Sequence, residues 1–374
     1  MRRRLACFAL ATAALAPGSA QAAFDSAGVE GGVFTPKAPA LATGTPMASP
    51  SPDMGAIDIR TRSDAGYMRT KLIRYLWKQD NFPLNVLPAK VTTGITDPDF
   101  SPMASVASID RLDVTQEFGI KTYEYLLHAR NPINKLMIYH SGHEGTFRVH
   151  KAEIQYFLDR GYDVLGVSMP LIRDSHSGWD YPTPHLRDFG NVTLYTHEYL
   201  PLVESSTYSP MKLFFEPVAE GLNYALKQQG YSQVAMMGLS GGGWTTTVYA
   251  ALDVRVRRAY PIAGTLPLYM HYTYNPGDWE QVERSFYHVA DYLELYIMGV
   301  SHGLRRHELQ ILNSRDPSSF SGAIYQSAPY EPVIDDRIRT AGIDGTFDVY
   351  IDPNAQHSIS PNALNVIAND LAQG

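Results

Sequence analysis

A short glycine-rich segment between two regular elements constrains the fold of this chain more than any other feature. The segment is Gly238-Leu239-Ser240-Gly241-Gly242; an apolar strand predicted over residues 234–237 precedes it, and apolar residues follow it at the i, i+4, i+7, i+8 spacing of a helix. A serine on such a sharp strand-to-helix turn is forced into strained backbone geometry, and its neighbours must be small because larger side chains would collide with the strand and the helix. The alternative interpretation is a glycine-rich turn whose serine only caps the helix.

The rest of the chain from about residue 110 alternates strand and helix signals. Amphipathic helices are predicted over residues 153–160 and 216–229, each ending at a glycine. Short, apolar strand patterns occupy residues 113–118, 121–129, 135–139, 162–169, 233–238, 258–262, 308–312 and 347–351. Helices between short, continuous apolar strands favour a mostly parallel sheet covered on both faces, which is an α/β architecture.

The Gly-x-Ser-x-Gly turn in this context resembles that of the α/β-hydrolase superfamily, and of its serine esterases and lipases in particular. The resemblance covers roughly residues 110–374. In that family a nucleophilic serine is followed along the chain by an acid after a late strand and by a histidine after the last strand. Asp316 follows the predicted strand 308–312, and His357 follows the predicted strand 347–351, so both match the family order.

The resemblance implies a role for each of these three residues. Ser240 would attack the carbonyl carbon, His357 would act as general base and then general acid, and Asp316 would orient the imidazole and stabilise the imidazolium. Asp348 and Asp352 are rivals for the acid, but they lie on or beside the strand that leads to His357, a poor position from which to orient it. The alternatives are an aspartate in an Asx-turn before Pro317 and a surface histidine.

The family also implies an oxyanion hole made of two backbone N–H groups. Gly241, directly after the nucleophile, would give one. The second would come from the loop of residues 139–145, Tyr-His-Ser-Gly-His-Glu-Gly, which resembles the His-Gly loop of the family but has Ser141 where glycine is common. Gly142 and His143 are both candidates for this donor, and His143 is the predicted one.

No metal or cofactor is expected from the sequence. His140 and His143 lack the His-Glu-x-x-His register of a metalloprotease, and no matching group of ligands follows elsewhere along the chain. Cys7 is the only cysteine, so neither an intrachain disulfide nor a cysteine-based zinc site can form. His140 is instead predicted to make hydrogen bonds within its loop.

Composition excludes other classes of protein. The chain has 374 residues, of which 44% are hydrophobic, so a large core is possible and a disordered, collagen-like or coiled-coil protein is excluded. The formal net charge is −7, and no long cluster of Lys and Arg occurs in the body of the chain. Nucleic acid is therefore not expected as a partner, because its binding needs a concentrated basic surface.

The N-terminus has the pattern of a cleavable signal peptide. Arg2-Arg3-Arg4 precedes an apolar run over residues 5–16, and Ala20-Gln21-Ala22 supplies a small-x-small cleavage site. The run of 12 residues is shorter than the roughly 20 of a membrane-spanning helix, so no stable span is expected. Residues 1–22 are therefore predicted to direct export to the periplasm or the medium; an uncleaved N-terminal anchor is the alternative.

The remaining chain is divided into three parts. Residues 23–60 are rich in Pro, Ala and Ser and are predicted to be a flexible leader. Residues 61–110 are predicted to be an N-terminal appendage that begins with an amphipathic helix capped by Ser63 or Asp64. Residues 111–374 form the predicted catalytic domain, with aromatic-rich cap insertions near 170–210 and 266–306.

Taken together, the motifs favour an exported serine hydrolase that cleaves a carboxylic ester, in a small molecule or a polymer, through an acyl-enzyme intermediate and without a cofactor. A serine peptidase or amidase on the same fold is one alternative, although the chain is too short for the propeller domain that some such peptidases carry. A non-catalytic binding module with a hydrolase-like fold is the other. The sequence does not distinguish the acyl and alcohol groups or the oligomeric state.

Overall fold

A mixed β-sheet of nine strands forms the centre of the described chain. The structure is a computed structural model, and it describes Gly55 and residues 57–271, 277–303, 305–318 and 328–373. The described strands are β1 (Lys90–Thr92), β2 (Val106–Thr115), β3 (Lys121–Ala129), β4 (Lys135–His140), β5 (Asp163–Val167), β6 (His185–Leu186), β7 (Gly190–Asn191), β8 (Gln233–Leu239), β9 (Arg258–Ile262), β10 (His307–Asn313) and β11 (Thr346–Asp352). The sheet order is β1-β2-β3-β5-β4-β8-β9-β10-β11, and β6 and β7 form a separate two-stranded ribbon.

The sheet is antiparallel at one edge and parallel elsewhere. The pairs β1–β2, β2–β3 and β3–β5 are antiparallel, whereas all pairs from β5–β4 to β10–β11 are parallel. Parallel strands end at the same edge of a sheet, so the loops that follow β4, β8, β10 and β11 are brought to one side of the molecule.

Helices cover both faces of this sheet. The described helices are α1 (Arg62–Trp77), α2 (Lys151–Leu158), α3 (Glu216–Gln228), α4 (Gly241–Leu252), α5 (Trp279–Val282), α6 (Arg284–Tyr287), α7 (Tyr292–Val300), α8 (Glu331–Thr340) and α9 (Pro361–Gln373). Alternate residues of β4 divide between two hydrophobic clusters: Leu136 and Ile138 pack with the side chains of α1, α3, α4, α7 and α8, and Met137 and Tyr139 pack with those of α2 and α9. The predicted mostly parallel sheet flanked by helices is confirmed.

The N-terminal part of the described chain contributes to the same core. Helix α1 places Leu72 and Leu76 in the cluster that contains α4 and α7, and the boundary predicted at residue 110 falls inside β2. The cap of α1 is Thr61, which forms a capping box with Asp64, so the predicted cap at Ser63 or Asp64 is wrong by two or three residues. A threonine hydroxyl one residue before the helix satisfies a free N–H of the first turn, whereas Ser63 and Asp64 are already helical.

The two predicted insertions contain short elements. Residues 170–210 include the β6–β7 ribbon and a 3₁₀ helix over His197–Val203. Residues 266–306 include α5, α6 and α7; the last helix is buried and packs on α4 and β10, so it belongs to the layer of helices that covers the sheet. Asp291 and Glu294 form a capping box at its start. The aromatic residues Tyr272 and Tyr274, the predicted signal peptide and most of the predicted leader lie outside the described residues.

Among the described helices, none combines the length and the apolar character that crossing a bilayer requires.

Candidate active site

The turn between β8 and α4 holds Ser240 in a strained conformation. Its φ is 57° and its ψ is −124°, values that a residue with a side chain rarely adopts. The Ser240 N–H donates to the Ile262 carbonyl of β9 at 2.9 Å, and the Ser240 carbonyl accepts from Trp244 N–H at 3.0 Å. The neighbouring strand and the first turn of the helix therefore hold the strained backbone in place.

Glycines beside Ser240 allow a close approach to β4. A Cβ atom on Gly242 would collide with the carbonyl oxygen of His140, and one on Gly238 would collide with the carbonyl group of Gly242. The small residues of the motif are thus required by packing, as the sequence pattern predicts.

Asp316 and His357 meet at the edge of the sheet where β8, β10 and β11 end. The His357 Nδ1–H donates to Asp316 Oδ2 at 2.7 Å. The side chain of Asp316 is completely buried and that of His357 is 23% exposed, so the imidazole separates the carboxylate from solvent. With Nδ1 donating, Nε2 is the ring nitrogen that can accept a proton.

The two rival aspartates have other partners. Asp348 Oδ2 lies 3.0 Å from His307 Nε2. Asp352 accepts hydrogen bonds from Ser360 Oγ at 2.6 Å and from Asn362 Nδ2 at 2.8 Å. Of the three candidate acids, Asp316 is the one hydrogen-bonded to His357.

Asn313, the last residue of β10, connects the loops of Asp316 and His357. Its Nδ2 lies within hydrogen-bonding distance of Asp316 Oδ2, at 3.3 Å, and of the carbonyls of Gln356 and Ser358, at 3.1 and 3.0 Å. Asn313 is not among the residues predicted from the sequence; its place at the end of the strand before Asp316 is the one local signal that points to it.

The loop after β4 lies against the Ser240 turn. The Gly142 N–H donates to Glu144 Oε1 at 2.9 Å, and the same oxygen accepts from His150 Nε2 at 2.6 Å. Burial raises the pKa of Glu144, but the hydrogen bond and positive charge of His150 together with backbone N–H donors such as that of Gly142 outweigh it, so the pKa lies below its ordinary value. Of the two candidate donors, Gly142 N–H is therefore already engaged by a side chain of its own loop.

The side chain of His143 also lies close to the turn. A Cβ atom on Gly241 would be 2.9 Å from His143 Cε1. Burial lowers the pKa of His143, but the neighbouring carboxylates of Glu280 and Asp278 outweigh it and raise the pKa to about 9. Burial lowers the pKa of His140 to about 4, so its ring is neutral, and its Nδ1–H donates to the Ser141 carbonyl at 2.8 Å as the sequence analysis predicted.

Two residues that sequence reasoning missed approach His143. His197 Nδ1 lies 3.0 Å from His143 Nε2, and Glu280 Oε1 lies 3.2 Å from the same nitrogen. They come from the two predicted insertions, 54 and 137 residues from His143 along the chain. No local spacing links the three, so no sequence motif could have revealed the group.

The strand order and the strained serine at the end of β8 define the α/β-hydrolase fold. Comparison with solved structures indicates the same fold. The chain is similar to acetyl xylan esterase 1 from Thermoanaerobacterium sp. JW/SL YS485, with 15% identity and a TM-score of 0.51 over 84% of this chain and 93% of the other. It is also similar to methylesterase BT1017, with 14% identity and a TM-score of 0.54 over 83% and 63% of the two chains. No family model matches the sequence, and no curated protein matches it.

Proposed function

We propose that this protein is a serine hydrolase that cleaves carboxylic esters through an acyl-enzyme intermediate. One observation carries the proposal: a serine in strained geometry ends β8 at the sheet edge where a histidine is hydrogen-bonded to a buried aspartate. Strain of this kind persists where the surrounding structure enforces it, and it is typical of a nucleophile presented at a turn. The fold shared with two esterases supports the same activity.

The proposed reaction has two stages, acylation of Ser240 and hydrolysis of the acyl-enzyme, and the same residues act in both. As Ser240 Oγ attacks the ester carbonyl carbon, His357 Nε2 takes the hydroxyl proton, and the Asp316 carboxylate stabilises the imidazolium. Collapse of the tetrahedral intermediate breaks the bond to the alcohol oxygen, which receives that proton and leaves. Water then attacks the acyl-enzyme with the same assistance and releases the acid and Ser240.

The proposed oxyanion hole consists of Gly241 N–H and His143 N–H. Gly241 is the first residue of α4, so its N–H is not used by the helix and carries part of the positive end of the helix dipole. The engagement of Gly142 N–H by Glu144 supports His143 as the second donor. Two backbone donors held in advance stabilise the oxyanion without reorganisation during the reaction.

The first test compares the purified protein without residues 1–22 with its Ser240→Ala variant. Nitrophenyl acetate, butyrate and laurate are the substrates, because the two structural neighbours are named for acetyl and methyl esters and the longer chains test acyl length. Covalent labelling by a fluorophosphonate is measured in parallel. Ser206→Ala is the matched control, since Ser206 is exposed and lies in the 170–210 insertion.

We expect turnover and labelling in the wild type and in Ser206→Ala, and neither in Ser240→Ala. Labelling without turnover of any ester would indicate an activated serine that acts on amides or peptides. Absence of both in folded wild-type protein would contradict a hydrolase and favour a binding module.

Export by residues 1–22 is the second part of the proposal. It is supported by the basic start, the apolar run and the small-x-small site in the sequence. Expression of the whole chain in a Gram-negative host, followed by mass spectrometry of the protein from the periplasm and medium, tests it. We expect a protein that begins at Ala23; a cell-associated protein that retains residues 1–22 would contradict cleavage.

A further inference from the structure

Three side chains from three separate segments converge beside the loop after β4. His143 belongs to that loop, His197 begins the 3₁₀ helix of the first insertion, and Glu280 lies in α5 of the second. His143 Nε2 is 3.0 Å from His197 Nδ1 and 3.2 Å from Glu280 Oε1, and His197 Nδ1 is 3.2 Å from Glu280 Oε2. The potential donor atoms of the three residues all lie within 4.8 Å of one another.

In each imidazole, the ring nitrogen that faces away from the cluster lies near an oxygen atom. His197 Nε2–H donates to the Pro170 carbonyl at 2.9 Å, which leaves the lone pair of Nδ1 directed at the cluster. His143 Nδ1 lies 3.4 Å from Asp278 Oδ2. Histidines that bind metals almost always have such an oxygen on the second ring nitrogen, because it fixes the tautomer and raises the basicity of the ligand.

Glu280 has the properties of a carboxylate that requires a cation. Its side chain is completely buried, and within the described chain its Oε1 forms no hydrogen bond, although His143 Nε2 lies 3.2 Å away. A buried ionised carboxylate is costly unless a positive charge and donors or a metal satisfy it.

The spacing of the three donors suits a small cation. Tetrahedral Zn²⁺ with bonds of about 2.0–2.1 Å separates its donor atoms by roughly 3.3 Å, and the three separations here are 3.0, 3.2 and 3.2 Å. Two histidines and one carboxylate are a donor set that zinc and similar divalent ions accept.

We propose that His143 Nε2, His197 Nδ1 and Glu280 bind a divalent transition-metal ion of the zinc type. Binding involves no change of oxidation state: the three groups donate lone pairs to the ion, and any proton held on His143 Nε2 is released to solvent. Because the ligands belong to the β4 loop and to both insertions, the bound ion links the two insertions to the loop beside Ser240.

The test measures metal binding directly and does not depend on the proposed ester hydrolysis. Ser240→Ala protein without residues 1–22 is treated with a chelator, dialysed and titrated with ZnCl₂ by calorimetry, and its thermal unfolding is followed with and without Zn²⁺. We expect saturable binding of one ion per chain and a higher unfolding temperature with Zn²⁺, since an ion that binds only the folded state stabilises it. X-ray absorption at the zinc edge should show imidazole ligands.

Variants identify the ligands. Glu280→Gln and His197→Gln, each made in the Ser240→Ala protein, should weaken binding by more than about 100-fold, because removing a ligand costs more than the 10–100-fold typical of removing its outer partner. His185→Gln, an exposed histidine of the first insertion, is the matched control and should bind as before.

Absence of saturable binding in the parent protein, or undiminished binding in a folded Glu280→Gln or His197→Gln variant, would overturn the proposal. The three groups would then be a buried ion-pair network around a protonated His143. Because the parent protein alone can give the first of these results, the test does not depend on whether the variants fold. Loss of esterase activity in Ser240→Ala bears on the proposed function and not on this result.

Discussion

The carboxylate of Asp316 is buried but well supplied with donors. His357 Nδ1–H at 2.7 Å and Ser318 N–H at 2.8 Å donate to its two oxygens, and Asn313 Nδ2 lies 3.3 Å from Oδ2. Hydrogen bonds from several donors compensate a buried carboxylate for the loss of water. The same contacts fix the plane of the carboxylate, so the imidazole of His357 is held in one tautomer and one orientation.

Changing Asp316 to Asn tests this arrangement. An amide presents an NH₂ group or a weaker acceptor to His357 Nδ1, so the imidazole loses both its tautomer and the charge that stabilises its protonated form. We expect kcat for ester hydrolysis to fall by roughly 10⁴-fold with the circular dichroism unchanged. Asp188→Asn, at an exposed position, is the control. Full activity in Asp316→Asn would mean that another acid orients His357.

At the scale of elements, the packing of α4 against β4 places Ser240. The first turn of α4 approaches β4 so closely that Gly242 faces the carbonyl of His140 with no room for a methyl group. A helix that moved away from β4 would also displace Gly241 and the oxyanion loop. The geometry of the site thus depends on one contact between two elements.

Gly242→Ala should therefore fold poorly or not at all. We expect a loss of about 3 kcal/mol or more in the free energy of unfolding, because backbone must move to admit the methyl group. The matched control is Gly230→Ala, since Gly230 follows α3 with nothing near the position of its Cβ; there we expect a change within about 0.5 kcal/mol. Urea unfolding of both variants measures the difference, and equal effects would contradict the packing argument.

His307, the first residue of β10, contacts one carboxylate of α9 and one of β11. Its Nδ1 lies 2.9 Å from Asp370 of α9 and its Nε2 lies 3.0 Å from Asp348 of β11. Burial lowers the pKa of His307, but the two carboxylates outweigh it and raise the pKa to about 9. The folded state therefore binds a proton more tightly than the unfolded state, in which the pKa is about 6.5.

The contribution of His307 to stability should therefore decrease as pH rises. It is complete below about pH 6.5 and is lost as pH rises through about 9, a change of roughly 3 kcal/mol. The measurement is the difference in free energy of unfolding between wild type and His307→Gln across this range. We expect this difference to shrink towards high pH; a difference that grows with pH would contradict the assignment.

At the scale of the whole molecule, α1 and the body of the described chain are joined by a buried arginine. Arg69 donates from Nε to the Ala251 carbonyl at 2.6 Å and from Nη2 to the Met298 carbonyl and to Ser301 Oγ, both at 2.8 Å. These acceptors lie at the C-terminal ends of α4 and α7, where carbonyls lack partners within the helix and favour a cation. The segment before residue 110 thus satisfies polar groups of the helix that follows Ser240.

Replacing Arg69 with Met should destabilise the whole protein. The methionine fills similar space but leaves the buried Ala251 carbonyl without its donor, whereas the Met298 carbonyl still accepts from Ser301 and Arg306, so we expect a loss of about 2 kcal/mol in the free energy of unfolding. Arg60→Met, at an exposed position, should change it by less than about 0.5 kcal/mol. Loss of α1 alone, seen as partial unfolding with esterase activity retained, would contradict a shared core.

Local signals in the sequence were sufficient for the architecture and for the pairing of Asp316 with His357. The positions of β8, α4, β10 and β11 follow from apolar periods and turn residues, which depend on neighbours within a few positions. Because parallel strands end at one edge, the order of Ser240, Asp316 and His357 along those strands already implied their approach, and the structure pairs Asp316 with His357.

Contacts between segments far apart in the chain could not be predicted from the sequence and are seen only in the tertiary structure. The link between the loops of Asp316 and His357 depends on Asn313, and α1 belongs to the common core through Arg69. The meeting of His143, His197 and Glu280, for which the sequence predicted no metal ligands, depends on the paths of two long insertions. Periodicity within a segment carries no information about such paths, because they are set by packing between segments far apart in the chain.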